Sequence, residues 1–219
     1  MTKTQIEFPT KVDLEERISV WAHDLRSPFN HVLGFTKMTL NGQSGPLTDM
    51  QREDLTIAYR SALRAMAQVN NLIEIARLQR GEKEVSRTPQ ELSVFLDQTI
   101  AGWQKNNPGV EMPIAILPTA GSITVPLDKV QTGWILNGFL SYLAAYSEGT
   151  GSLTVEISDE SDGIVFTLHQ MGIIKKGFDK TTMEMSAQIC RAYIELQGGE
   201  IRQSELDEDE ALVQFRLPK

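Results

Sequence analysis

The sequence predicts an α+β protein in two parts, an antiparallel helical hairpin followed by a mixed domain of helices and alternating strands. Leu14, Ile18, Trp21, Leu25, Phe29, Val32 and Phe35 recur at alternating four- and three-residue spacings, the seam of one long helix that should bury this stripe. The segment NGQSGP at 41–46 then breaks the pattern, and Thr48 with Gln51 offers a capping box for a second helix. From about residue 90 the texture changes to shorter runs in which the apolar period switches between helix and strand.

The second helix carries Leu55, Ala58, Ala62, Met66, Val69, Ile73 and Ala76 on one face, until RGEKEVSRTP at 80–89 interrupts it. A lone hairpin of this size cannot enclose its own apolar stripe, so a second copy is expected to complete a four-helix bundle as a homodimer. The remainder reads in order as a helix from Pro89 to Trp103, strand-like pieces VEMPIAIL and SITVP, and a helix from Asp128 to Tyr146. Strands SLTVEIS and IVFTLHQ follow, then a helix from Thr181 to Leu196, a Gly198–Gly199 turn, and strands EIRQSEL and ALVQFRL around the acidic loop DEDE. The organisation expected is an N-terminal tail at 1–11, the hairpin at 12–80, a linker at 81–89 and the α/β domain at 90–219.

Composition narrows the function. The formal net charge of -8 argues against a nucleic-acid footprint, because neutralising phosphates needs clustered Lys and Arg. The single cysteine, Cys190, excludes a disulfide framework within the chain and reads as core packing in an apolar helix. No run approaches the ~18 apolar residues that span a bilayer, and MTKTQIEFPTK lacks a signal-peptide core. The expectation is a cytoplasmic protein without membrane partners.

The chemistry concentrates around His23. It stands two residues from both Trp21 and Leu25, hence about 200° around the helix from each, and should face solvent. An exposed neutral imidazole is a competent nucleophile near neutral pH. Asp24 beside it offers a carboxylate to accept the ring proton or hold the tautomer. Pro28 lacks the amide hydrogen that would bond the Asp24 carbonyl, so a kink is expected beside the site. His31 falls on a different face and reads as structural or solvated, and His169 belongs to the second domain.

The phrase HDLRSPFNHVLGF resembles the H-box of bacterial sensor histidine kinases, and the resemblance continues through GPLTDMQREDL and NNLIEIARL. It implies that 12–80 is a dimerisation and histidine-phosphotransfer domain, with His23 the phosphoacceptor and Asp24 the acid/base residue. Ser27 then occupies the place where threonine or asparagine commonly aids dephosphorylation. A receiver partner is expected to dock near His23, Arg26, Ser27 and Asn30.

In that family the hairpin precedes an ATP-binding α/β sandwich, and the element order from 90 to 219 is similar to it. The nucleotide boxes are altered. Tyr142 stands at the place of the magnesium-binding asparagine, and Asn137 lies about 140° away around the helix and is no substitute. Gln170 replaces the adenine-reading aspartate, followed by Gly172 and by Ile174 where close backbone approach is expected. Glu184 and Ser186 fall where the family has glycines that cradle phosphate, and a carboxylate there repels a triphosphate. About six residues, Lys175–Lys180, replace the long ATP lid.

A retained acceptor with an altered nucleotide site resembles the dimeric histidine phosphotransferases of bacterial phosphorelays. The implied activity is exchange of a phosphoryl group between His23 and aspartates of response-regulator receiver domains. No cofactor is expected on this chain, no metal site is expected in it, and Mg²⁺ would come from the receiver. Two other readings stand beside it: a non-catalytic scaffold that binds a regulator, and a divergent but active histidine kinase.

Overall fold

The computed structural model describes residues 14–107, 110, 112–117, 122–146, 151–172, 180–206 and 209–219. The expected tail at 1–11 lies outside them. Two compact units divide the chain, one through Lys83 and the other from Glu84.

In the first unit, α1 (Leu14–Leu40) runs without interruption through Pro28, and α2 (Asp49–Gln79) follows. The reversal between them uses left-handed glycines, Gly42 at φ 79° and Gly45 at φ 104°. The capping box forms: the Gln51 amide N–H donates to Thr48 Oγ1 at 3.2 Å, and the Thr48 amide N–H donates to Gln51 Oε1 at 3.0 Å. Within one chain the hairpin core is small, with Ala22, Val69 and Ile73 buried and Phe29 packed against them. The seam read from the sequence is therefore not buried inside the chain: Trp21 is 49% and Phe35 68% exposed, and Leu25 and Val32 are similar. Of the seam, Phe29 packs against the α2 contact, while Trp21, Leu25, Val32 and Phe35 are left on an open face. Near the end of α2, the Lys83 ammonium lies 2.6 Å from the buried Glu74 carboxylate, matching a charge that would be costly alone.

The second unit contains β1 (Thr88–Glu91), α3 (Leu92–Asn106), β2 (Ile114–Ile116), β3 (Thr124–Leu127), α4 (Lys129–Tyr146), β4 (Ser152–Glu160), β5 (Gly163–Met171), α5 (Lys180–Leu196), β6 (Glu200–Leu206) and β7 (Glu210–Leu217). Its main sheet has the order β2-β4-β5-β7-β6, with β2 parallel to β4 and the other neighbours antiparallel. Strand alternation puts Leu153, Val155, Ile157, Ile164, Phe166, Leu168, Val213, Phe215 and Leu217 in the core. Phe166 stacks on Phe215 with centroids 4.9 Å apart, and Phe139 of α4 tilts against Phe215 at 5.6 Å. This is one sheet face covered by helices, the two-layer sandwich.

One element differs from the sequence reading. The helix expected from Pro89 begins at Leu92, because Thr88–Glu91 pairs with β3 as a separate ribbon. Pro89 lies opposite Pro126 in that ribbon. Two residues without N–H can face each other only where the ladder exchanges no hydrogen bond.

Asp128 caps α4, its Oδ1 accepting from the Gln131 amide and its Oδ2 from the Ser86 amide, both at 2.8 Å. Gln131 Nε2 donates to the Glu84 carbonyl at 2.8 Å, and Arg87 Nη2 to the Gln197 carbonyl at 2.7 Å. Residues 84–87 are thus bound into the second unit by side chains of α4 and a carbonyl after α5.

Gly138 lets α4 approach α5, since a Cβ there would overlap the Cys190 sulfur. Cys190 is buried, and burial pushes its thiol up to about 12, which makes it a packing group and not a nucleophile. Gly138→Ala is expected to destabilise the second unit by about 1–3 kcal/mol through overpacking, read as a lower urea midpoint at unchanged slope. Gly138→Ala combined with Cys190→Ala should recover most of the loss.

Candidate phosphoacceptor site

The site is built by the helical period of α1. Ala22 points inward and is 3% exposed, which turns the next residue outward: the His23 side chain is 81% exposed and that of Asp24 73%. The His23 Nδ1 lies 3.7 Å from Asp24 Oδ1, beyond hydrogen-bonding distance but close enough for the carboxylate to stabilise a charged ring. The other ring nitrogen is the one a carboxylate so placed leaves free. Ser27 and Asn30, one and two turns further on, are exposed, as is His31.

Arg26 is different. It is half-buried, and both its Nε (3.2 Å) and its Nη2 (2.9 Å) donate to Oδ1 of Asn70 on α2. Asn70 was invisible to sequence reasoning, because it sits on the polar side of a helix 44 positions away and no local pattern pairs it with Arg26.

In the second unit Tyr142 lies on α4, Gln170 on β5, and Glu184 and Ser186 on α5. Tyr142 of α4 lines a cavity of about 270 Å³ with Phe139, Ala187, Gln188, Arg191, Ile201 and Val213. Gln170, near the end of β5, is completely buried, and neither its Oε1 nor its Nε2 has a hydrogen-bond partner. Gly172 takes φ 125°, and a Cβ on it would fall 2.7 Å from the Gly151 Cα. Its glycine character is thus required by the backbone of its own fold. Ser186 lies half-buried in α5, Glu184 is in the same helix with its side chain outside the described set, and Ile174 lies outside the described residues. His169 Nε2 sits 3.0 Å from Glu210 Oε2, far in sequence from the acceptor. No group of three or more His, Cys, Asp or Glu able to hold a metal ion occurs among the described residues. No described helix is long and apolar enough to cross a membrane.

Residues 13–81 match the His Kinase A (phospho-acceptor) domain family. The hairpin is a His Kinase A phospho-acceptor domain. Over 160 residues the chain is 24% identical to the circadian input-output histidine kinase CikA of Synechococcus elongatus, a stretch covering 72% of this chain and 21% of that protein. The chain thus spans about a fifth of that relative's length. Among solved structures, full-length ShkA in complex with AMPPNP superposes with a TM-score of 0.66 at 20% identity, covering 93% of this chain and 46% of that one. The histidine kinase ThkA in complex with the response regulator protein TrrA gives 0.59 at 16% identity, covering 94% and 62%. At these identities the structural likeness establishes the fold: a histidine-kinase hairpin followed by the family's α/β domain.

Proposed function

We propose that this chain is a phosphorelay phosphotransferase, in which His23 takes a phosphoryl group from an aspartyl phosphate on one response-regulator receiver domain and returns it to another. The observation that carries the reading is the exposed His23–Asp24 pair on an uninterrupted α1, inside a phospho-acceptor domain. The far imidazole nitrogen attacks phosphorus, the N–P bond forms as the P–O bond to aspartate breaks, and the electron pair leaves on the aspartate carboxylate. The ring becomes a phosphoimidazolium, whose charge and Nδ1 proton face Asp24. Mg²⁺ in the receiver's acidic pocket would neutralise the transferring group.

Binding of a receiver is supported by the solved kinase–regulator complex with the same fold, and the exposed His23, Ser27 and Asn30 offer it a docking surface, whereas Arg26, also expected there, is engaged with Asn70. Homodimerisation is supported by the open apolar face of Trp21, Leu25, Val32 and Phe35, which a single chain leaves to water.

The donor set at the family's nucleotide positions does not fit a magnesium nucleotide, which supports transfer without ATP-dependent kinase activity. Tyr142 offers a phenol where a neutral amide would bind the metal, and the Gln170 amide is sealed in the core. The test is to mix the chain with receivers pre-phosphorylated with labelled phosphate, beside a lane of labelled Mg-ATP. Label arriving from a receiver with the ATP lane blank is the expected result. Label from ATP would make the chain a kinase, and no label from receivers that are competent with another donor would leave the scaffold reading.

A further inference from the structure

We infer that Asn70 is a positioning residue for phosphoryl transfer, acting through Arg26 to set the direction in which His23 leaves α1. The inference rests on the phosphotransferase reading for its functional consequence, and on the hairpin geometry for its physical content.

The His23 ring makes no described hydrogen bond, and its nearest charged neighbour, Asp24, is 3.7 Å away on the same exposed surface. No described residue holds the imidazole, so the sector from which it projects is set by the rotation of α1 about its own axis. At this level α1 meets α2 through Ala22, Val69 and Ile73, with Phe29 beside them. These apolar contacts, the Phe29 ring among them, are non-directional and do not by themselves fix one rotation of α1. The Arg26–Asn70 link is directional. Two guanidinium N–H groups converge on one amide oxygen, at 3.2 and 2.9 Å, from a half-buried side chain one turn after His23. Asn70 follows Val69, and Arg26 follows Ala22 by four residues, so the polar link and the apolar contact sit side by side on the same helix pair. A turn of α1 that preserved the apolar contact would still break the pair, and would swing the imidazole away from the line of attack.

The same geometry engages Arg26 within the hairpin. Its guanidinium restrains α1, where the sequence suggested a side chain reaching for a partner. In-line transfer is sensitive to displacement of the nucleophile, so loosening this restraint should lower the turnover of the docked complex and leave docking itself unchanged.

The test uses the full chain as Asn70→Leu, Asn70→Asp, Arg26→Gln and the double variant Arg26→Gln/Asn70→Leu. Transfer from a phosphorylated receiver is measured over a range of receiver concentrations. Asn70→Leu is expected to lower the maximal rate about tenfold with the half-saturating concentration within about twofold. Asn70→Asp keeps the acceptor oxygen and should restore the rate to within about twofold, and the double variant should be no slower than the slower single one. Hydrogen exchange of the α1 amides around His23 is followed in parallel, and should quicken in Asn70→Leu and recover in Asn70→Asp. An unchanged maximal rate in Asn70→Leu, independent losses in the double variant, or a change confined to half-saturation would overturn the inference. If wild type accepts no label from competent receivers, the phosphotransferase reading falls, and unaltered exchange in Asn70→Leu would then remove the restraint as well.

Discussion

His23→Gln is expected to lower phosphoryl acceptance from a receiver at least about a thousandfold, because the amide that replaces the imidazole has no nucleophilic nitrogen lone pair. The loss should be chemical and not structural. The side chain is 81% exposed, and nothing in the hairpin core touches it, so the thermal unfolding of the variant should stay within about 0.5 kcal/mol of wild type. Asp24→Asn should only slow transfer, by roughly 10–100-fold, since its carboxylate stands 3.7 Å from the ring and aids the charged state without forming the new bond. Single-turnover transfer with a labelled receiver separates the two variants. Acceptance surviving in His23→Gln would move the acceptor elsewhere on α1, where His31 is also exposed, and would overturn the assignment.

Phe166→Ala is expected to remove about 3–5 kcal/mol from the second unit, the usual range for emptying a fully buried aromatic position. Phe166 is 0% exposed, stacks on Phe215 at 4.9 Å, and lies on the central strand of the five-stranded sheet. The cavity would open beneath the contact between Phe139 of α4 and Phe215, so the seating of α4 on the sheet should loosen too. Urea unfolding followed by tryptophan fluorescence in a Trp21→Phe background, which leaves only Trp103 and Trp134 of this unit, would show the shift. A loss below about 1 kcal/mol would mean that the helical layer collapses onto the space, against the close packing of this core.

Much of the fold was legible because its signals are local. The Thr48–Gln51 box, the glycines of the first turn and the alternation in β4, β5 and β7 all act over a few residues, and each element stands close to where its pattern places it. The start of α3 was not legible. Pro89 is a good first residue of a helix, and only the partner strand Thr124–Leu127 makes Thr88–Glu91 extended. The apolar seam of α1 is legible as a stripe, and its exposure within one chain fits the expectation that a second copy, not the same chain, provides its cover.

The sequence by itself determined the residue types and spacings that define the phospho-acceptor helix, and the outward direction of His23. A 3.6-residue period ties that direction to the apolar positions around it. Only the tertiary structure decided what holds this helix in place and how Gln170 and Gly172 are set in the second unit. The bond from Arg26 to Asn70 spans 44 positions, the burial of Gln170 depends on the sheet's neighbours, and Gly172 is required by the approach of Gly151. Each is a contact between segments distant in sequence, and such contacts exist only once packing has brought the segments together.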